Sequence, residues 1–386
     1  MTSLGNIEAT PLASLTFISF TKGDILYLTG SAQNLYDAEA RAVMPFQNAL
    51  TEVFVTGYTY VRDALPLRQR AGLDIQASPY SPPVKLLADE IPQSNIFLKD
   101  EEPSALLVRI EIHSSTLVTF TWESSTKLSL RPGQAVIMDL STLLGSREYR
   151  HMAPGRPNLV NDDFIRTWTV SSWAEPDSDS RLFSLTMREK SGGTVTTALF
   201  SIVRKLSEHK PEILKDSRDL GLTVAIVGVT GDFHLRIPEA AANVDVPKTL
   251  FWISGGIGIT PFLSMLAALE CNLNIPRVNV TLVVSTREPQ VILSLIANSF
   301  RSSNPRIQLS VHIFSRATSG IQSELPFDLH SGRLEQSFFE SQLPKLKAEN
   351  TEVYICGPEP FEQGVLGYLD KVGIEEKNVQ RERFSY

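Results

Sequence analysis

The sequence contains four short segments whose residue types could do chemistry, and three of them suit the binding of phosphate groups. The longest is FWISGGIGITPFLSMLAAL (residues 251–269), where glycines and a threonine separate an apolar run from a second apolar stretch. The first run predicts a buried parallel strand, and the second predicts a helix that begins near Pro261. Such a turn lets a phosphate approach backbone N–H groups at the positive end of a helix. Taken alone, it is equally compatible with a tight structural turn, because the third glycine of the usual dinucleotide fingerprint is absent.

The other three segments are RTWTVSS (166–172), GTVT (193–196) and CGP (356–358). A guanidinium such as that of Arg166 makes two-pronged contacts to phosphate oxygens, and the second segment opens a predicted helix that offers N–H donors. Each segment also has a simpler interpretation. Arg166 could form a surface ion pair beside a packed aromatic ring, and Cys356, after an apolar strand, could be a small core residue.

The elements that must position these segments fall into two patterns. From Ala105 to about Pro238, short alternating strands recur between turn signals, which predicts an antiparallel barrel. From Lys248 onward, strands alternate with helices, which predicts a parallel sheet of the doubly wound kind. We therefore predict a multidomain protein with a partial barrel segment and linker at 1–95, an antiparallel barrel at 100–240 and an α/β nucleotide-binding domain at 245–386.

Composition narrows the classes of function. The 386 residues are 42% hydrophobic and 20% charged, with a net charge of −7, so nucleic acid and anionic membranes are not expected partners. We expect a cytoplasmic protein, because neither a signal peptide nor an apolar run of membrane-spanning length is evident. Two cysteines and six scattered histidines give no support to a metal site or an iron–sulfur cluster.

In their order along the chain and at their spacing, the four segments resemble the ferredoxin–NADP reductase superfamily of flavin/NAD(P)H oxidoreductases. The family pattern is Arg-x-Tyr-Ser/Thr, Gly-x-x-Ser/Thr, Gly-Gly-x-Gly-x-Thr-Pro and Cys-Gly-Pro. The barrel motifs PGQ (132–134) and GVTGDF (228–233) also match, and the resemblance covers roughly residues 105–386.

The resemblance implies a role for each matched residue. Arg166 would pair with the pyrophosphate of a flavin. The family usually binds FAD, and FMN stays an open alternative. Trp168 stands where the family usually has tyrosine. Thr169 would approach flavin N5, while Cys356 and Glu382 would lie near the nicotinamide, so these three are the candidate catalytic residues. The remaining candidate cofactor-binding residues are Val170, Ser171, Ser172, Gly193, Val195, Thr196, Gly255, Gly256, Gly258, Thr260, Pro261, Ser285, Arg287, Gly357, Pro358 and Tyr386.

The choice between NADPH and NADH stays open. The second strand of the nucleotide domain ends in Ser285, Thr286, Arg287 and Glu288. Serine and arginine at a strand tip suit a 2′-phosphate, whereas an acid there suits a free ribose diol. The tip therefore leans towards NADPH.

Residues 15–68 resemble the second half of a flavin split barrel of the pyridoxamine-phosphate-oxidase type, carried by DILYLTG (24–30) and ALPLR (64–68). The strands that normally precede this part have no room here. We therefore expect that the segment keeps a packing role, and that a second flavin site is either lost or completed by a partner chain. A split barrel is usually a dimer, so we also expect pairing with a second copy in a homodimer.

The sequence thus predicts an NAD(P)H-dependent flavoprotein that passes hydride to flavin N5 and electrons onward. The acceptor is a small molecule or a separate redox protein, because no cysteine cluster is fused to the chain. The alternative is a non-catalytic flavin- or nucleotide-binding module that senses redox state or binds a partner.

Overall fold

The computed structural model describes residues 2–70, 72, 78, 86–90, 95–97, 102–144, 160, 162–175, 178–236, 247–348 and 350–382. The chain divides into two compact units, one formed by residues 1–92 and 147–162 and the other by residues 93–146 and 163–386. Among the described residues, no helix combines the length and the apolar character needed to cross a membrane.

The first unit is built on a three-stranded antiparallel sheet. Its elements are α1 Thr2–Ala9, β1 Leu12–Ser19, β2 Asp24–Tyr36, α2 Asp37–Val43, β3 Ala49–Val61 and a 3₁₀ turn at Ala88–Glu90. The strands pair in the order β1-β2-β3. Large apolar side chains on this sheet remain exposed, among them Phe54 at 73% and Tyr58 at 75%.

The second unit begins with an antiparallel sheet, and the RTWTVSS and GTVT segments belong to this part of the unit. Its strands are β4 Asn95–Ile96, β5 Ser104–Ser114, β6 Leu117–Ser124, β7 Ala135–Asp139, β8 Ile165–Thr169, β9 Leu182–Arg188 and β10 Thr223–Thr230. The order is β8-β7-β10-β5-β6-β9, with β4 beside β10. The backbone N–H of Ser171 donates to the carbonyl of Ser184 over 2.9 Å, which joins the two ends of the sheet into a barrel.

Two helices accompany this barrel, α3 Ser141–Leu144 and α4 Thr194–His209. Apolar residues of α4, including Leu199 and Phe200, belong to the same buried cluster as Phe120 and Trp122 of β6. Their spacing along α4 puts them on one face, and burial of that face packs the helix against the barrel.

The rest of the second unit is a six-stranded parallel sheet with helices. Its elements are β11 Lys248–Gly255, α5 Thr260–Cys271, β12 Val278–Ser285, α6 Pro289–Ser299, β13 Ile307–Ser315, β14 Asp328–Ser331, α7 Gln336–Ser341, α8 Leu343–Leu346, β15 Thr351–Cys356, α9 Glu359–Lys371 and β16 Val379–Glu382. The strand order is β14-β13-β12-β11-β15-β16. The carboxyl ends of β11, β12 and β15 therefore lie side by side, where ligands bind in sheets of this kind.

The barrel and the parallel sheet are joined at the PGQ turn. Gly133 has a φ of +100°, and its N–H donates to Ser264 Oγ of α5 over 2.9 Å. A Cβ on Gly133 would come within 2.5 Å of Met265 and of the Phe233 carbonyl oxygen. Glycine is thus required for the close approach of this barrel turn to α5.

The predicted fold class, an antiparallel barrel followed by a parallel α/β sheet, is confirmed. The likeness of the first unit to a split barrel stays a prediction, as do the three domain boundaries, and most of the proposed linker lies outside the described residues.

Candidate functional site

The glycine turn after β11 is shaped first by packing against the end of β15. A Cβ on Gly258 would lie 2.3 Å from the Cys356 carbonyl oxygen, and one on Gly255 or Gly357 would lie 2.7 Å from the Phe361 ring. Three of the predicted site glycines therefore permit contact between two segments of the protein itself. Close approach of a cofactor phosphate to Gly255 and Gly258 stays a prediction.

Gly256 differs from its neighbours, because it has space around it. Its φ is +57°, and a Cβ built there would meet nothing within 4 Å. A 3₁₀ turn at Gly256–Ile259 then leads into α5, with Pro261 in the first turn as predicted. Thr260 is buried, and its hydroxyl donates to the Ile257 carbonyl over 3.2 Å.

Three predicted catalytic residues from distant parts of the sequence are brought into contact. Thr169 Oγ1, at the end of barrel strand β8, donates to Glu382 Oε1 over 2.9 Å. The Cys356 thiol, at the end of β15, lies 3.5 Å from Glu382 Oε2. Cys356 and Glu382 are register partners on β15 and β16, so the parallel pairing sets their spacing.

The surroundings of Glu382 favour its protonated form. Burial raises the pKa of Glu382 to about 7, against hydrogen bonds from Thr169 and Cys356 that lower it, and the carboxylates of Glu362 and Asp232 raise it further. Burial also raises the pKa of the Cys356 thiol well above its ordinary value, with Glu382 adding to the effect. This contact therefore contains a neutral thiol and a carboxyl group that exchanges its proton near neutral pH.

Arg166 and Trp168 lie two residues apart on β8, on one face of the strand. The Arg166 guanidinium donates to the Ile165 carbonyl over 2.9 Å and lies 3.9 Å from Asp163. Trp168 is half-buried and packs against the apolar core of the barrel. The ion pair that was the simpler interpretation of Arg166 is thus present, with the side chain about one-third exposed.

The residues that follow Thr169 serve largely to close the barrel. Val170 is buried in the barrel core. The Ser171 hydroxyl contacts Thr186 Oγ1 at 2.8 Å, and Ser172 Oγ accepts a 2.9 Å hydrogen bond from the Ser184 N–H.

The GTVT segment forms the start of α4, with Gly193 at the N-cap. The Val195 side chain is buried in the barrel core, and Thr196 Oγ1 accepts a hydrogen bond from the Lys190 N–H at 3.2 Å. The parts of this segment that suit a ligand are therefore the backbone N–H groups at the start of α4. The first turn of α4 contains no acidic side chain, which leaves its positive end uncompensated from within the helix.

At the end of β12 an arginine is exposed to solvent, whereas the neighbouring glutamate forms an ion pair. Ser285, half-buried, is the register partner of Gly255. Arg287 is exposed, and no hydrogen bond or ion pair to it is found among the described residues. Glu288, in contrast, forms an ion pair with Arg188 at the end of β9.

Some predicted positions stand apart from these contacts, and other residues were missed. Pro358 is exposed at the N-cap of α9, and Tyr386 lies outside the described residues. Glu362 and Asp232, which influence Glu382, were not predicted as site residues. Glu362 is buried on α9, six residues after Cys356. Its closeness to Cys356 in the sequence was the feature that could have indicated it as a site residue.

Comparison with known proteins gives a family match for the parallel-sheet part. Residues 252–366 match the family model of the oxidoreductase NAD-binding domain. The glycine turn and the CGP segment both fall inside this match.

Curated relatives extend the similarity into the barrel. The reductase subunit of stachydrine N-demethylase from Rhizobium meliloti is 25% identical over 298 residues, covering 75% of this chain and 68% of the relative. The glycine betaine monooxygenase reductase subunit from Chromohalobacter salexigens is 26% identical, covering 66% of this chain and 56% of the relative. The anthranilate 1,2-dioxygenase electron transfer component from Acinetobacter baylyi is 26% identical, covering 44% of each protein. The chain thus matches between about half and two thirds of these relatives' lengths.

Among solved structures, the ferredoxin–NADP⁺ reductase from Neisseria gonorrhoeae with bound FAD and NADP aligns at a TM-score of 0.45 and 17% identity, covering 73% of this chain and 97% of that one.

Proposed function

We propose that this chain is a member of the ferredoxin–NADP reductase superfamily and an NAD(P)H-dependent flavoprotein oxidoreductase that supplies electrons to a separate redox protein. The contact of Thr169, Cys356 and Glu382 carries the proposal. It places a hydroxyl from the barrel, a thiol from the parallel sheet and a carboxyl group that titrates near neutral pH at one point.

The donors on the barrel suit a flavin with a pyrophosphate, which favours FAD. Arg166 would hold the pyrophosphate together with the first backbone N–H groups of α4, where Gly193 presents no side chain. Trp168 would pack against the flavin ring, although it lacks the phenol hydroxyl of the usual tyrosine. A flavin bound here would accept a hydride and release electrons one at a time.

The open space at Gly256 suits the pyrophosphate of a nicotinamide nucleotide. The first turn of α5, like that of α4, contains no acidic side chain. Gly256 would allow close approach to the backbone, and Ser285 and Arg287 at the neighbouring strand tip would contact the adenosine ribose. NADPH is the proposed nucleotide, because Arg287 is exposed while Glu288 is paired.

Glu382 would hold or release a proton beside Thr169 Oγ1. A group whose pKa is close to the ambient pH exchanges protons most effectively. Cys356 would act through its shape and neutral thiol rather than as a nucleophile, because burial raises its pKa.

A separate redox protein is the favoured acceptor. Three of the relatives are, by name, reductase or electron transfer components of oxygenase or demethylase systems. The chain itself contains two cysteines, fewer than a cysteine-ligated iron–sulfur cluster needs.

Anaerobic reduction tests the proposal. Flavin-loaded protein should lose its oxidised flavin absorbance on addition of NADPH or NADH, and ferricyanide should restore it and support turnover. The bound flavin should be identified by extraction and chromatography. Protein that retains flavin and is bleached by neither nucleotide would instead be a non-catalytic binding module.

The exposed sheet of the first unit supports a homodimer in solution. The register places Leu15 and Phe17 of β1 and Val55, Tyr58 and Tyr60 of β3 on one face of the sheet, and all five are exposed. A contiguous apolar patch of several hundred Å² is typical of an interaction site. Light scattering should give the mass of a dimer, and Tyr58→Ser with Tyr60→Ser should give a monomer; a monomeric parent chain would contradict this assignment.

A further inference from the structure

The ion pair between Arg188 and Glu288 links barrel strand β9 to the tip of the nucleotide-binding sheet. Arg188 also donates to Thr116 Oγ1 over 3.0 Å, which anchors it to the turn between β5 and β6. The Glu288 N–H donates to Thr286 Oγ1 over 3.1 Å, which fixes the backbone from which the carboxylate projects. Each residue of the pair is therefore held in place by a second hydrogen bond within its own part of the structure.

The acidic partner of this ion pair, Glu288, is the single carboxylate at the end of β12. Residues 285–288 read Ser-Thr-Arg-Glu, so Glu288 is the one acid and Arg287 the one base of this segment. The side chains of Arg188 and Glu288 are 33% and 26% exposed, whereas Arg287 is exposed and has no ion-pair partner among the described residues. The tip consequently presents a positive charge whose neighbouring negative charge is neutralised by a residue 100 positions earlier in the chain.

The ionised state of Glu288 is consistent with this arrangement. Partial burial favours the protonated acid, but hydrogen bonding from Ser114 and the pair with Arg188 outweigh burial and lower the pKa of Glu288. The carboxylate is thus charged at neutral pH. If it were released from Arg188, it would repel a nearby phosphate and would be able to accept a hydrogen bond from a ribose hydroxyl.

We propose that Arg188 is a specificity-determining residue for the nicotinamide nucleotide, because it holds Glu288 away from the adenosine ribose and so favours the 2′-phosphate of NADPH over the 2′-hydroxyl of NADH. Arg188 acts through Glu288 and is a positioning residue. This inference rests on the proposed function and assigns its nucleotide preference to a residue outside the nucleotide-binding sheet.

The test compares the affinities of flavin-loaded protein for NADP⁺ and NAD⁺ by titration calorimetry at fixed low salt. Arg188→Gln should lower the ratio Kd(NAD⁺)/Kd(NADP⁺) by about tenfold, since a released carboxylate near a 2′-phosphate costs about that much in affinity. Adding Glu288→Gln to this variant should return the ratio close to the parent value. Arg188→Lys, which keeps the charge, should preserve it and serves as the conservative rescue.

A matched control is available on the same side of the barrel. Arg204 pairs with Glu189 at 2.9 Å, and Arg204→Gln removes an arginine–carboxylate pair without releasing an acid at the strand tip. This variant should leave the nucleotide ratio unchanged.

The outcomes separate the inference from the function on which it rests. If Arg188→Gln weakens both nucleotides equally, or if the double variant fails to restore the ratio, Arg188 has only a structural role and the inference is wrong. The same conclusion follows if the parent protein prefers NAD⁺. If the parent binds neither nucleotide, the proposed function itself fails.

Discussion

Replacement of Glu382 by glutamine should change how stability depends on pH. The Glu382 side chain is half-buried, its carboxyl group contacts the Thr169 hydroxyl and the Cys356 thiol, and burial raises its pKa to about 7. Glutamine keeps the size of the side chain and an oxygen that accepts from Thr169. The substitution therefore removes the titration while retaining most of the packing.

The sign and size of the change in the free energy of unfolding follow from the difference in the pKa of Glu382 between the folded and unfolded chain. Between pH 4.5 and about 7 the unfolded chain releases this proton while the folded chain keeps it, so the parent protein loses stability as pH rises through this window. The difference between 4.5 and about 7 corresponds to about 3 kcal/mol. Below pH 4.5 Glu382 does not lower the free energy of unfolding, and above pH 8 it lowers that free energy by the full amount.

Urea unfolding of the parent and Glu382→Gln proteins at half-unit steps from pH 5 to 8 measures the effect. The free energy of unfolding of the parent should fall relative to the variant by about 2–3 kcal/mol over this range. Glu359→Gln removes an exposed carboxylate from the start of α9 and controls for the loss of one negative charge. Parallel curves for parent and Glu382→Gln would refute the assigned titration.

Three further predictions address the cofactor sites. Arg166→Ala should release the flavin, because a charge-assisted pair to phosphate contributes roughly 1.5–3 kcal/mol; unchanged flavin affinity in a folded variant would contradict the assigned pyrophosphate site. Arg287→Ala should lower kcat/KM for NADPH roughly tenfold to a hundredfold with little effect on NADH, and an equal loss for both would make Arg287 an ordinary surface charge. Gly258→Ala should prevent stable folding, because its Cβ would lie 2.3 Å from the Cys356 carbonyl oxygen, whereas Gly256→Ala should fold and weaken nucleotide binding; thermal melts and nucleotide titrations distinguish them.

The larger elements were predictable because their patterns are local. Alternating apolar residues in β5, β6 and β9, and the strand–helix alternation from β11 onward, each follow from side-chain periodicity. Pro261 and Gly193 mark helix starts by backbone chemistry alone. These signals do not depend on which distant segment packs against them.

The detailed role of the glycines was not predictable in the same way. A glycine that admits a ligand and one that admits another segment of the chain look identical in sequence. Gly258 packs against Cys356, nearly 100 residues later, while Gly256 has open space, and only the tertiary arrangement distinguishes them. The pairing of Arg188 with Glu288 is hidden for the same reason, because it joins a barrel strand to the tip of a different sheet.

The chemistry of Cys356 illustrates how two neighbouring strands, β15 and β16, define one local environment. A cysteine after an apolar strand was interpreted either as a core residue or as a residue beside the nicotinamide, and the structure is compatible with both. Its thiol is fully buried, and burial together with the Glu382 carboxyl group raises its pKa, so it stays neutral. A thiolate there would face Glu382 with two negative charges 3.5 Å apart. The neutral thiol therefore adds no negative charge on sulfur beside Glu382, and a nucleophilic role for Cys356 is disfavoured by the same burial.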